Sequence, residues 1–68
     1  MDKKHAEQIK KARTYLNLTQ IELASLVGVS PRTVEAWEIN RSSPTRTVFL
    51  LLNRILRENG FPPVNYTD

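Results

Sequence analysis

A glycine followed within three residues by Ser-Pro constrains this chain more than any other feature. Upstream, Thr19 is followed three positions later by Glu22, the pattern of a reciprocal capping box, so a helix is predicted to begin directly after Thr19. Gly28 is expected to end it, because glycine takes a left-handed turn without steric cost. Ser30 and Pro31 then supply the N-cap and first position of a second helix. The pattern predicts two helices joined by a turn of about three residues and crossing at roughly 90–120°.

The side chains of these two helices are predicted to divide between an inner and an outer face. Ala24 lies where the second helix crosses the first, and its small side chain permits a close approach of the two backbones. The inner face, which we assign to the core, holds Leu23, Val27, Val29, Val34 and Trp37. The outer face is short, polar and accessible to a partner, and it holds Arg32, Thr33, Glu35 and Ala36.

The same segment resembles the lambda-repressor-like (Xre-type, Cro-like) helix-turn-helix family of DNA-binding proteins. The resemblance covers about residues 6–57 and rests on Thr19-Gln20, Glu22-Leu23-Ala24, Gly28-Val29-Ser30, Thr33-Val34, Trp37-Glu38 and Pro44. It implies that Arg13, seven residues before Gln20, pairs with Glu38. The family usually has glycine where this chain has Asn40. Because asparagine tolerates a positive φ, we expect the turn to form nevertheless.

Four helices are predicted, in a single domain that spans residues 1–68. The expected fold is all-α, a compact four-helix, lambda-repressor-like domain with its helix-turn-helix over about residues 20–39 and a short extended tail over residues 60–68. The first helix is predicted over about residues 4–16 and the fourth from near Thr45 to just before Gly60. Prolines in the tail exclude a helix there.

Composition and charge limit the kinds of site and partner that we expect for this chain. The chain has 68 residues, no cysteine and a net charge of +3, which favours a polyanionic partner and excludes disulfides and thiolate metal sites. His5 is the single histidine, so we expect no metal site, no catalytic triad, no cofactor and no enzymatic activity. The N-terminal region is charged, and the longest apolar run, Val48 to Leu52, is too short to cross a bilayer. We therefore expect a cytoplasmic protein, associated with the nucleoid through DNA, and no membrane partner.

The resemblance implies a set of DNA-reading residues at the start of the second helix of the pair. Pro31, Arg32, Thr33 and Ala36 match the base-facing positions of the family, whose recognition helix enters the major groove. Arg32 is the long donor among them and can bind guanine O6 and N7 bidentately. The apolar surfaces of Pro31 and Ala36 suit a thymine methyl group. For Glu35 two interpretations stay open: it accepts from cytosine N4, or it orients Arg32 or faces solvent.

A second set is expected to hold the DNA backbone and so to fix register rather than sequence. Its members are Gln20, Asn40, Arg41, Ser42 and Arg46. The lysines at positions 3, 4, 10 and 11 are either a solvated face or further phosphate contacts. Ile21 is expected to point outward, either toward a DNA sugar or methyl group or simply into solvent.

The fourth helix carries more apolar surface than one stripe can bury. We predict Val48, Leu51, Leu52, Ile55 and Leu56 as its inner stripe, which leaves Phe49 and Leu50 outside. Our main hypothesis is a symmetric homodimer with Phe49, Leu50 and Phe61 at the interface, since two-fold symmetry also matches a palindromic operator. The alternative is that Phe61, Val64 and Tyr66 fold back over the exposed stripe. Both hold if the tails pack at the dimer seam.

Three functional hypotheses follow. The first is a sequence-specific transcriptional repressor of phage or mobile-element type, controlling its own operon and binding double-stranded DNA at an inverted repeat. The second is a DNA-binding antitoxin, whose toxin partner would cover part of the apolar surface. The third is an interaction module that has kept the fold and lost DNA binding.

Overall fold

A computed structural model describes the backbone of residues 4–66 and the side chains of residues 5–66. In this part of the chain four helices follow one another: α1 (Lys4–Tyr15), α2 (Gln20–Val27), α3 (Pro31–Glu38) and α4 (Arg46–Glu58). The prediction of an all-α fold is confirmed, and the predicted helix bounds agree to within one residue. None of these helices is long and apolar enough to span a membrane.

The turn between α2 and α3 forms as its residues predict. Thr19 Oγ1 accepts from the Glu22 amide at 3.1 Å, and the Thr19 amide donates to Glu22 Oε1 at 2.8 Å, which completes the capping box. Gly28 ends α2 with a left-handed φ of 79°. Ser30 Oγ then accepts from the Thr33 amide at 3.3 Å and caps α3. Local hydrogen bonds thereby fix the start of both helices and the end of α2 at a three-residue turn.

A single core joins all four helices. α2 packs mainly on α3, and α3 in turn packs on α1. Ala24 is fully buried, as expected of the small residue at the helix crossing. Val27 and Val29 are half-buried against this core. Its buried members are Ile9, Ala12, Leu23, Ala24, Val34, Trp37, Phe49, Leu52, Leu56 and Val64.

The inner face of α4 differs from the predicted one. Phe49 is 1% exposed and Leu52 and Leu56 are fully buried, whereas Leu51 is 37% exposed. The prediction that placed Leu51 inward and Phe49 outward is therefore wrong. Because Phe49 is buried inside its own chain, it cannot line a dimer interface. Leu50, 63% exposed, is the residue of the predicted seam that does lie on the surface.

The C-terminal tail is extended, as predicted, and folds back onto the helices. Asn53 on α4 binds the tail through both ends of its amide: Oδ1 accepts from the Val64 amide at 2.8 Å, and Nδ2 donates to the Val64 carbonyl at 2.9 Å. The Val64 side chain is 2% exposed and completes the core. The tail thus covers part of the apolar surface that the four helices leave open.

Aromatic contacts secure the tail at both ends. Phe61 is half-buried and stacks on Tyr15 of α1 with ring centroids 5.4 Å apart. Tyr66 lies 5.1 Å from the Phe49 ring and stacks on His5 at 4.6 Å. Phe61, predicted at the dimer seam, is therefore engaged within its own chain. His5 is half-buried in α1.

Candidate nucleic-acid interface

The outer face of α3 forms one side of a shallow groove. Pro31 occupies the first helical position, where its missing amide costs nothing, and the Ser30 cap sets the start of the helix. The groove, called here the α3 groove, is lined by Ser30, Arg32, Thr33, Glu35, Ala36, Ile39, Arg41 and Ser42. Three of the four predicted base-facing residues therefore lie together, and Pro31 lies exposed at the edge outside the lining.

Arg32 is the group in this groove best suited to recognise a base. It is exposed, and within the described residues neither a hydrogen bond nor an ion pair engages its side chain. Glu35 lies one turn further on and is also exposed, but no ion pair ties the two together in that part of the chain. The N–H donors of the guanidinium are therefore all available to a partner.

Thr33 is less available to a DNA contact than predicted, because its side chain is hydrogen-bonded within the protein. Its hydroxyl and that of Ser30 lie 2.9 Å apart and share a hydrogen bond, while the Thr33 amide is bound to the same Ser30 oxygen. The side chain is half-buried. Thr33 therefore stabilises the start of α3, and any contact with DNA uses only the remaining capacity of its hydroxyl.

The residues expected to contact the DNA backbone do not all lie in the same groove. Arg41 and Ser42 line the α3 groove. Asn40 lines a neighbouring groove, the α1/α3 groove, together with Lys10 and Glu7 of α1. Arg46 is exposed at the first position of α4 and lines neither groove. Lys11 is exposed on α1, and Lys3 and the Lys4 side chain lie outside the described residues.

Three main-chain amides of the turn after α3 are already hydrogen-bonded. The amides of Asn40, Arg41 and Ser42 donate to carbonyls in the last turns of α3, at 3.2, 2.9 and 3.4 Å respectively. These three amides are therefore not available to a phosphate at this turn. Arg41 supplies the positive charge there.

An ion pair behind α3 fixes how that helix is presented. Glu38 is 4% exposed, and its Oε2 accepts from Arg13 Nε at 2.7 Å while its Oε1 accepts from Arg13 Nη2 at 2.9 Å. The hydrogen bond to Glu38 raises the pKa of Arg13, so its guanidinium stays charged. The pairing that the resemblance implied is confirmed. It joins α1 to the end of α3.

Gln20 joins the same network, which sequence alone did not indicate. Its Nε2 donates to Glu38 Oε1 at 3.1 Å, so one of its two amide hydrogens is spent inside the protein. The second hydrogen and the amide oxygen remain for a backbone contact. Gln20 is thereby oriented by the ion pair at the start of α2.

Comparison with known protein families settles the fold assignment. A helix-turn-helix family matches residues 9–59, three quarters of the chain. The chain belongs to the lambda-repressor-like helix-turn-helix family. This is a family of DNA-binding transcription regulators, so the polar outer face of α3 lies on the element with which such proteins bind DNA. No curated protein is similar enough to this chain to match it.

The departure of this chain from the helix-turn-helix family pattern is accommodated as predicted. Asn40, where the family usually has glycine, takes a φ of 62°. Asparagine is one of the non-glycine residues that reach this region most easily. The turn after α3 therefore keeps the shape that a glycine would give it.

One groove residue was missed by sequence reasoning. Ile39 directly follows α3, is 58% exposed, and lines both the α3 groove and the α1/α3 groove. The available signal was its spacing, since it lies seven residues after Arg32 and three after Ala36, on the same helical face.

Proposed function

We propose that this protein is a sequence-specific transcriptional repressor that binds double-stranded DNA at an inverted-repeat operator as a homodimer. We further propose that it controls its own transcription and is of phage or mobile-element type. The observation that carries the proposal is the exposed, unengaged Arg32 on the outer face of α3, in a groove shared with Ala36 and Arg41. A long cationic donor in that position suits base recognition better than any other role in the fold.

The proposed mechanism begins with α3 in the major groove. There Arg32 donates two parallel hydrogen bonds to guanine O6 and N7, an interaction worth about 1–3 kcal/mol of discrimination against another base. Ala36, one turn further on, and Pro31, at the helix start, supply small apolar surfaces for thymine methyl groups. Thr33, held by Ser30, has less freedom and contributes a weaker contact.

The backbone contacts fix the register of α3 in the groove. Arg41 and Ser42 line the α3 groove with the base-facing residues and would contact phosphates of one DNA strand. Gln20, oriented by Glu38, would donate its remaining amide hydrogen to a phosphate. Asn40 and Arg46 extend the same contact surface. These interactions add affinity for any DNA sequence and make that affinity depend on salt.

The protein would repress transcription by occupying its operator. A DNA-binding domain that covers an operator excludes other proteins from it, and this requires no catalytic group. Blocking a promoter is therefore a regulatory action that a helix-turn-helix domain can perform by binding alone.

A homodimer suits the remaining apolar surface of α4. With Phe49 buried, that surface consists of Leu50 and Leu51, which are 63% and 37% exposed. Two copies related by a two-fold axis would place their α3 helices in successive major grooves. The half-site centres would then lie about 10–10.5 base pairs apart.

Selection from a pool of random duplexes tests the proposed function. Duplexes retained by the full-length protein at physiological salt should converge on an inverted repeat with that half-site spacing. Binding to the converged duplex should be at least about 10³-fold tighter than to random DNA. A pool that does not converge, or equal affinity for all duplexes, would contradict sequence-specific repression.

A further inference from the structure

Ile39 is a large apolar side chain in an otherwise mostly polar groove. It is 58% exposed and lines the α3 groove together with Arg32 and Arg41. Single exposed apolar residues are common on protein surfaces. Ile39 differs from Ile21, which is 67% exposed but lines neither groove, because its groove is the one that the proposed function places against DNA.

The helical register puts Ile39 on the base-facing stripe. Arg32, Ala36 and Ile39 are spaced i, i+4 and i+7, so they share one face of α3. Along the helix axis, Ile39 lies about 10 Å from Arg32. That separation exceeds the stacking distance of about 3.4 Å between base pairs, so we expect the two side chains to contact different base pairs.

The backbone on both sides of Ile39 is held in place. The Ile39 amide donates to the Glu35 carbonyl at 3.1 Å and so continues the hydrogen bonding of α3. Before it stands Glu38, fixed by two hydrogen bonds from Arg13. After it stands Asn40, in its left-handed turn. A β-branched side chain is itself restricted at χ1, so little freedom is lost when it is covered.

The chemistry of this side chain selects its contact. Isoleucine has no donor for a phosphate, and the adjacent main-chain amides are already bonded within the turn. In the major groove, the apolar feature that distinguishes one base from another is the C5 methyl group of thymine. We infer that Ile39 packs against a thymine methyl group and so specifies thymine at one position of each half-site, apart from the base pair recognised by Arg32. This inference rests on the proposed function.

Replacing thymine by deoxyuracil removes the methyl group and leaves every hydrogen-bonding atom in place. Each thymine of the selected duplex is replaced in turn, symmetrically in both half-sites, and the affinity of the full-length protein is measured. Burial of one methyl group corresponds to about a fourfold change in affinity. Wild type should lose about fourfold per half-site at the Ile39 position, and Ile39→Ala should lose nothing further there.

Leu26→Ala is the matched control, since it shortens an aliphatic side chain of α2 that is 46% exposed and lies outside the α3 groove. It should keep the wild-type response at every thymine. Ile39→Ala should also keep any response due to the Ala36 methyl contact. Because Ile39 is exposed, this variant is expected to fold, which circular dichroism checks.

The outcomes separate the two hypotheses. If wild type and Ile39→Ala respond alike at every thymine, the inference is wrong, although selective binding that depends on Arg32 would leave the proposed function standing. A uniform loss by Ile39→Ala, independent of any methyl group, would indicate a sugar contact and would also overturn it. If wild type selects no duplex at all, the proposed function fails and the inference falls with it.

Discussion

Arg13 of α1 and Glu38 at the end of α3 form a bidentate ion pair, with Nε to Oε2 at 2.7 Å and Nη2 to Oε1 at 2.9 Å. Arg13 also donates from Nη1 to the Leu18 carbonyl at 3.2 Å. Because Gln20 binds the same carboxylate, one buried group connects α1, the start of α2 and the end of α3. The orientation of α3 relative to α1 and α2 therefore depends on Glu38.

Glu38→Gln should destabilise the fold by about 2–3 kcal/mol, because it leaves the partly buried guanidinium of Arg13 without its countercharge. Urea denaturation measures the change. Glu58→Gln is the control, since Glu58 belongs to an exposed pair with Arg54 at 3.5 Å. That change should cost less than about 0.5 kcal/mol. Equal effects of the two substitutions would show that the Glu38 pair does not hold the helices together.

Arg41→Ala should weaken binding to all duplexes by a similar factor. Arg41 lines the α3 groove beside the turn and is expected to neutralise one phosphate. The slope of log affinity against log salt concentration should therefore fall by about 0.9 units per half-site. Arg41→Lys, which keeps the positive charge, should leave the slope unchanged. A loss confined to the operator would instead mean that Arg41 recognises a base.

Val64→Ala should destabilise the protein by about 2 kcal/mol, because two buried methyl groups are lost and a cavity remains. Val64 is 2% exposed, and its backbone is held by Asn53. Asn65→Ala is a suitable control, since the Asn65 side chain is exposed and the hydrogen bond from its amide to Gln8 Oε1 is kept. Thermal unfolding that is unaffected by Val64→Ala would show that the tail is not part of the folded domain.

Local signals explain why the helix-turn-helix could be predicted and the face of α4 could not. Thr19, Gly28 and Ser30 act on their own neighbours within three or four residues, so their roles can be recognised in the sequence. In the apolar run from Val48 to Leu52, two overlapping stripes fit equally well. The stripe that is buried also carries Asn53, a half-buried polar residue.

The deciding partner of Asn53 lies far along the chain. Its amide binds the backbone of Val64, eleven residues away, and no local pattern indicates such a pairing. The same holds in the candidate site, where the bond from Gln20 to Glu38 joins residues eighteen apart. Ile39 was missed for a different reason, since it follows the end of α3 and its outward direction depends on where that helix stops.

Leu50→Glu should convert the proposed dimer into a folded monomer. Leu50 is 63% exposed on α4, so a charge there does not disturb the core but repels its symmetry mate. Affinity for the operator should fall by about 10²-fold or more, because each half-site is then bound without the other. Sedimentation at tens of micromolar measures whether the protein is a monomer or a dimer. A wild-type monomer that binds as one protein per operator would contradict the dimer.

The most direct test of the account is the ratio of operator affinity to random-duplex affinity in Arg32→Ala at physiological salt. Lys11→Ala, which removes a positive charge from the exposed surface of α1, is the control. Loss of the bidentate guanine contact should lower the ratio at least about tenfold per half-site, with weak non-specific binding retained, while Lys11→Ala leaves it unchanged. If Arg32→Ala binds the operator as tightly as wild type, α3 does not recognise DNA through Arg32.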